Sequence, residues 1–206
     1  MTSYRHAARK AAIAAALSAA ALTLTACGGD NGSPSATAST SASASASDSS
    51  AGSSYNAADV SFAQGMIPHH RQAVEMADLA ATRASSAEVK KLAAEIKKAQ
   101  DPEIKTLSGW LTSWDAQVPT QGSMDHSGHS MPGMMGDSDM STLEKATGPA
   151  FDTAFLKLMV KHHEGAVEMA RTEKSEGADQ RAKDMADAII TSQSAEITRM
   201  NTLLDK

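Results

Sequence analysis

Two segments of the chain carry adjacent histidines flanked by methionines, and these residues are the ones best suited to chemistry. Imidazole nitrogen and thioether sulfur without thiolate form a ligand set suited to copper, above all to the cuprous ion. The structural alternative is that the methionines fill a core; it is weaker for the histidines, because buried imidazoles need polar partners. The candidate ligands are Met66, His69, His70, Met76, Met159, His162, His163 and Met169.

A third group of methionines and histidines lies between these segments, in a stretch rich in Gly, Ser and Asp. Methionines exposed in a polar loop have no packing reason to cluster, which predicts a flexible loop that captures copper; low-complexity drift is the alternative. Ordering a flexible loop opposes binding, so the helical set is expected to bind more tightly. The loop candidates are Met124, His126, His129, Met131, Met134, Met135 and Met140.

The two His-His segments belong to a longer internal duplication. They lie 93 positions apart, and the same offset relates Asp59 to Asp152, Gln100 to Gln193 and Glu103 to Glu196. Such matching indicates one supersecondary unit used twice.

Helices are predicted to position these residues, because apolar residues recur at helical spacing and place both histidine pairs on an inner face. Each repeat reads as an antiparallel hairpin, and two hairpins bury their apolar stripes by packing into an all-α, antiparallel four-helix bundle that folds without metal. Helix starts are predicted at Asn56 or Asp59, at Ser86 with a capping box from Ser85 to Glu88, at Gly148, and after Asp179.

The domain organisation follows from these boundaries. Repeat one spans 56–115, the Met/His-rich loop 116–148 and repeat two 149–206, with one short helical turn expected from Ser141 to Glu144. Residues 1–26 have the charged, apolar and small-residue regions of a signal peptide, and the junction before Cys27 resembles a lipobox. Residues 27–55 are a Ser/Ala-rich segment expected to be a disordered tether.

These features predict an exported protein, anchored on the outer face of the cell membrane by lipid on Cys27. The net charge of −5 argues against nucleic acid as a partner, because phosphate binding needs a concentrated basic face. A single cysteine excludes an internal disulfide framework. Formation of a homo-oligomer is left open.

Two other functions compete with copper binding. A ferritin-like dinuclear iron or manganese oxidoreductase would use inward carboxylates such as Glu103 and Glu196, but Met66 and Met159 stand where its Glu-x-x-His signature needs glutamate. A metal-free surface interaction module is the third reading. No nucleophile with a base, phosphate loop or hydrolytic zinc helix is present in the sequence, so a non-enzymatic role is expected.

The doubled pattern from Phe62 to Ala77 and from Phe155 to Ala170 resembles the domain-of-unknown-function 305 family, which includes CopM-type copper-binding proteins. The resemblance covers about residues 56–206. It implies a ferritin-like helical bundle outside the cytoplasm and, for some relatives, copper binding through Met and His at the helical positions named above. The loop candidates depend on composition and not on the family pattern.

Overall fold

The computed structural model describes residues 54–120 and 131–206, and the regular structure in these ranges is entirely helical. This confirms the all-α prediction. None of the helices described is long and apolar enough to cross a membrane. The signal peptide, Cys27 and almost all of the tether lie outside the described residues. The helices are α1 (Ala57–Arg83), α2 (Ala87–Ser113), α3 (Asp137–Lys145), α4 (Gly148–Glu176) and α5 (Gln180–Leu204).

The long helices form the two expected hairpins, α1 with α2 and α4 with α5, which meet where α1 packs on α4. The C-terminal half of α1 shares a hydrophobic cluster with the N-terminal half of α4, and the opposite halves share a second cluster, so these two helices are antiparallel. The short helix α3 lies against α4 and α1.

The histidine pairs lie between the two hydrophobic clusters along both central helices. On α1 the second cluster ends at Ile67 and the first begins at Ala73; on α4 the corresponding limits are Met159 and Ala166. The four imidazoles therefore form a polar layer in the middle of an apolar interior. The two clusters lie on either side of this layer, and all four histidines are fully buried.

Two aspartates at equivalent positions of the repeat each connect the two hairpins, because each accepts hydrogen bonds from the turn between the helices of the other hairpin. Asp59, in the first turn of α1, accepts hydrogen bonds from the backbone N–H of Ala178 (3.1 Å) and Asp179 (2.9 Å), just before α5. Asp152, in α4, accepts from the backbone N–H of Ser85 (3.1 Å) and Ser86 (2.9 Å), just before α2. A carboxylate at a helix N-terminus is stabilised by the unpaired N–H groups and the helix dipole.

Most predicted helix ends agree with the structure. Asn56 caps α1 in a capping box with Asp59, and Asp179 caps α5. The capping box predicted from Ser85 to Glu88 was wrong: Ser86 is the N-cap, and Ser85 is hydrogen-bonded to Asp152 instead.

The segment between the repeats is more helical than expected. In place of one turn from Ser141 to Glu144, α3 covers nine residues and begins at Asp137. Leu143 is fully buried in the first hydrophobic cluster, and this burial against α4 explains why so polar a segment is helical.

Candidate metal centre

His69 and His162 face each other where α1 meets α4. Their ring centroids are 3.8 Å apart with an interplanar angle of 42°, and both side chains are fully buried. The ring centroids of His162 and His163 are 6.3 Å apart. The structure therefore brings histidines of both repeats together, as the inward-facing stripes predicted.

The second histidine of each pair contacts a glutamate on the neighbouring helix of its own hairpin. His70 Nε2 lies 2.7 Å from Glu103 Oε2, and His163 Nε2 lies 2.6 Å from Glu196 Oε2. The imidazoles are fully buried and the carboxylates about one-fifth exposed. The sequence analysis placed both glutamates on inner faces, and in the structure each lies against a histidine ring nitrogen.

Burial keeps the central rings neutral. Loss of hydration on burial, and then the repulsion that a protonated His70 would exert, lower the pKa of His69 to about 3. Loss of hydration on burial, and then the repulsion that a protonated His69 would exert, lower the pKa of His162 well below its usual range. Because a metal ion binds only neutral imidazole, these two rings are ready to bind at physiological pH.

Among the residues that the structure describes, several imidazole nitrogens in this layer have no hydrogen-bond partner. Both ring nitrogens of His162 are buried and unpartnered. So is Nδ1 of His69, His70 and His163. Unpaired polar atoms in an apolar interior are costly, so this layer has lone pairs that an electrophile such as a metal ion would satisfy.

The helical methionines lie on both sides of the histidine layer. Met66 is fully buried in the second cluster, where Met169 packs partly exposed against it. Met76 and Met159 are fully buried together in the first cluster. Each side of the layer thus has one thioether from α1 and one from α4, which is the arrangement that the antiparallel repeat requires.

The segment from Met131 to Met135 docks on this centre. The carbonyl oxygen of Pro132 lies 3.1 Å from His69 Nε2. Gln72 makes two hydrogen bonds with the backbone of Met135, one to its carbonyl oxygen (2.9 Å) and one from its N–H (2.7 Å). A Cβ atom added to Gly165 would lie 2.0 Å from the Pro132 oxygen, so only glycine permits this approach. The segment from Met131 to Met135 and the buried histidines are therefore adjoining parts of one region.

Met131 reaches the helical methionines at Gly65. A Cβ added to that glycine would lie 2.9 Å from Met169 Cε and 3.6 Å from Met131 Sδ. Gly65 precedes Met66 and leaves room on α1 for both thioether side chains.

The other loop candidates have different surroundings. Met135 is buried in the first cluster and Met140, on α3, packs against it, so the expectation of exposed loop methionines was wrong for these two; core packing accounts for them. Met134 is half-buried. Met124, His126 and His129 lie outside the described residues.

Within 54–120 and 131–206, no three or more His, Cys, Asp or Glu side chains are arranged to hold one metal ion. Thioether sulfur lies on both sides of these histidines, and a ligand set of imidazole and thioether suits a soft ion. Sequence reasoning missed Gln72, Pro132 and Gly65. The available signal was that Gln72 and Gly65 align with Gly165 and Leu158, so the repeat is broken where the loop docks.

The fold and this buried layer define a class of duplicated, all-helical proteins with a candidate soft-metal centre between two hairpins. The chain belongs to the DUF305 family, described as a domain of unknown function, whose model matches residues 59–204. The resemblance to this family that the doubled His-His motif indicated is thus confirmed. No curated protein matches the chain.

Several solved structures are similar to this chain, and one of them is described as a protein of the same family. A DUF305 protein from Streptomyces coelicolor, described as secreted, is 35% identical with a TM-score of 0.65, over 72% of this chain and 92% of that one. CopM in its Cu(II)-bound form is 37% identical with a TM-score of 0.63, over 71% and 95%. CopM in its Cu(I)-bound form is 34% identical with a TM-score of 0.60, over 71% and 95%. These descriptions name no catalytic activity, and copper binding is a non-enzymatic role.

Proposed function

We propose that the protein binds copper outside the cytoplasm and buffers or sequesters it through methionine and histidine ligands. The observation that carries this proposal is the buried layer of four imidazoles, which has thioether sulfur on both sides and ring nitrogens with no hydrogen-bond partner among the described residues. The similarity to CopM, solved with Cu(II) and with Cu(I) bound, supports copper as the ion. Soft sulfur favours the cuprous state.

The ligands we propose are the helical set together with loop residues. The helical set comprises the four histidines and Met66, Met76, Met159 and Met169. Met131 lies beside Met169 at Gly65, which supports its inclusion. The proposal also includes, as capture ligands supported by composition, Met124, His126, His129 and Met134. It includes Met135 and Met140 too, although both pack in or against the first hydrophobic cluster.

We also propose a helix arrangement and a cellular location for the protein. The two hairpins form an antiparallel, ferritin-like four-helix bundle, with α3 as an addition in the connection. A signal peptide of residues 1–26 directs export, lipid on Cys27 anchors the protein to the membrane, and residues 27–55 form the tether. The copper-binding domain then lies outside the cell membrane.

The surroundings of Glu103 and Glu196 weigh against a dinuclear oxidoreductase. Each carboxylate has an oxygen against a histidine ring nitrogen on its own hairpin. Within the described ranges, no three or more carboxylate and imidazole side chains are grouped to hold a metal ion, whereas paired iron or manganese needs such a group.

The test is titration of the full chain with cuprous ion against a competing chelator. Replacing His69, His70, His162 and His163 by Ala is expected to remove the tightest site, because these imidazoles are held in place by packed helices. Replacing Met124, His126 and His129 by Ala should lower the number of ions bound and leave that site. Wild-type binding no tighter than micromolar would refute the proposal.

The reverse pattern of variants would place the tight site in the loop and leave the helical pairs a structural role. Circular dichroism of each variant, recorded without metal, controls for unfolding. Acid should weaken binding in all proteins that keep histidine ligands, since protonated imidazole does not bind metal.

A further inference from the structure

Three of the four buried imidazoles have Nε2 against an oxygen that can only accept a hydrogen bond. For His70 and His163 that oxygen belongs to Glu103 (2.7 Å) and Glu196 (2.6 Å). For His69 it is the carbonyl of Pro132 (3.1 Å). An ionised carboxylate and a peptide carbonyl carry no proton to donate, so in the neutral ring the proton must be on Nε2.

The same three rings leave Nδ1 as the atom with the lone pair. In each of them Nδ1 is buried and has no hydrogen-bond partner among the described residues. Metal-binding histidines commonly donate the N–H of one ring nitrogen to a carboxylate or carbonyl while the other nitrogen binds the ion. His70 and His163 have the first half of that arrangement in place.

The arrangement occurs once in each hairpin with the same spacing. The histidine and glutamate are 33 positions apart in both cases, and both glutamates lie on the outer helix of their hairpin. The duplication therefore carries the histidine and its carboxylate together, as one unit that joins two helices.

We propose that Glu103 and Glu196 are positioning residues that hold His70 and His163 as Nε2–H tautomers and thereby commit Nδ1 to the metal ion. This inference depends on the proposed copper-binding function. In this proposal the two carboxylates do not bind the metal ion themselves; each one orients the imidazole that does. Loss of such an outer partner typically lowers metal affinity 10- to 100-fold.

The tautomers are measured first, without metal, by long-range nitrogen–proton NMR of the histidine rings in the full chain. The expected result for His70 and His163 is a proton on Nε2 and an unprotonated Nδ1. Upon loading with cuprous or silver ion, the Nδ1 resonance should shift while the Nε2 proton remains. A proton on Nδ1 in the apo protein, or loss of the Nε2 proton on loading, would overturn the inference.

Variants then separate positioning from charge. The double variant Glu103→Ala with Glu196→Ala should lose the single tautomer and bind cuprous ion about 10- to 100-fold more weakly. Glu103→Gln with Glu196→Gln removes the same charge but keeps an acceptor oxygen, so it should recover much of the affinity. The matched control is Glu75→Ala with Glu168→Ala, an exposed pair at equivalent positions of the repeat, which should change neither measurement.

The outcomes remain distinguishable if a protein fails to fold or to bind. Should the alanine pair unfold, the glutamine pair still tests the carboxylates, and wild-type affinity with a mixed tautomer in that pair contradicts a positioning role. If the wild-type rings show the expected tautomers but bind no cuprous ion, the copper-binding function fails while the tautomer assignment stands. Equal loss of affinity in the control pair would trace the effect to net charge.

Discussion

The two hairpins have equivalent histidine–glutamate pairs, and the equivalent aspartates Asp59 and Asp152 each accept hydrogen bonds from the turn of the other hairpin. They differ where the segment from Met131 to Met135 contacts them. Gln72 of the first hairpin holds the backbone of Met135, whereas the equivalent Gly165 of the second admits the Pro132 carbonyl. In consequence His69 has a hydrogen-bond partner, and its equivalent His162 has none within the described residues. The duplication gives the two hairpins equivalent histidines, but the segment from Met131 to Met135 contacts these histidines differently, so the histidine layer is asymmetric.

A second difference lies at the end of the molecule where α1 begins and α4 ends. Glu173 is buried there beside Asp59, while the equivalent position in the first hairpin is Ala80. Burial, and then the Asp59 carboxylate, raise the pKa of Glu173 to about 8. Within the described residues, the end of the molecule that holds Asp59 therefore contains a titratable pair that the end holding Asp152 lacks.

The largest expected effect comes from removing the capping aspartates one at a time. Asp59 is fully buried and Asp152 is half-buried, and hydrogen bonds to charged groups contribute about 1.5–3 kcal/mol each. Asp59→Ala should therefore lower the free energy of unfolding by about 3 kcal/mol and Asp152→Ala by about half of that. Urea denaturation at pH 7 measures both; equal losses would mean that the two ends are energetically alike.

Next in size is the effect of filling the glycine that admits the loop. In Gly165→Ala the new methyl meets the Pro132 carbonyl, so overpacking should cost about 1–3 kcal/mol and weaken cuprous-ion binding by displacing Pro132 from His69. Gly109→Ala is the matched control, because a Cβ there meets nothing within 4 Å. It should gain about 0.5–1 kcal/mol from helix propensity.

Thermal and urea denaturation of the two alanine variants, with copper titration of each, complete this comparison. If Gly165→Ala is as stable as Gly109→Ala and binds copper as the wild type does, then the docked segment has no bearing on the centre.

The smallest effect is a pH dependence confined to the end that contains Glu173. Above the ordinary pKa of glutamate and up to about 8, folded Glu173 keeps a proton that the unfolded chain has released, so stability falls as pH rises. The slope is at most about 1.4 kcal/mol per pH unit and is reduced by solvent screening. Buried histidines act in the opposite direction, but only below about pH 6.5.

Glu173→Gln should flatten this slope between about pH 6.5 and 8, since the amide does not titrate. Glu176→Gln, an exposed change in the same turn of α4, should leave the slope unaltered. Urea denaturation at three pH values in this window distinguishes them, and identical slopes for wild type and Glu173→Gln would show that Glu173 is ionised in the folded protein.

Local signals in the sequence determined the hairpins. Asn56, Ser86 and Asp179 begin helices because their side chains accept from the first backbone N–H groups, an interaction within three residues. Helical spacing placed both histidine pairs inside, and the 93-residue offset predicted equivalent sites on two similar units. Each of these inferences depends on neighbours in the chain or on comparison of the chain with itself.

Only the tertiary structure decided how the units meet. The contact of His69 with His162, the partners of Ser85 and the docking of Pro132 join residues more than 60 positions apart, and no local pattern encodes them. Met135 looked like an exposed loop ligand because its neighbours in sequence are polar, but Gln72 and the first cluster bury it. Burial is a property of the assembled surfaces, so composition alone misplaced this residue.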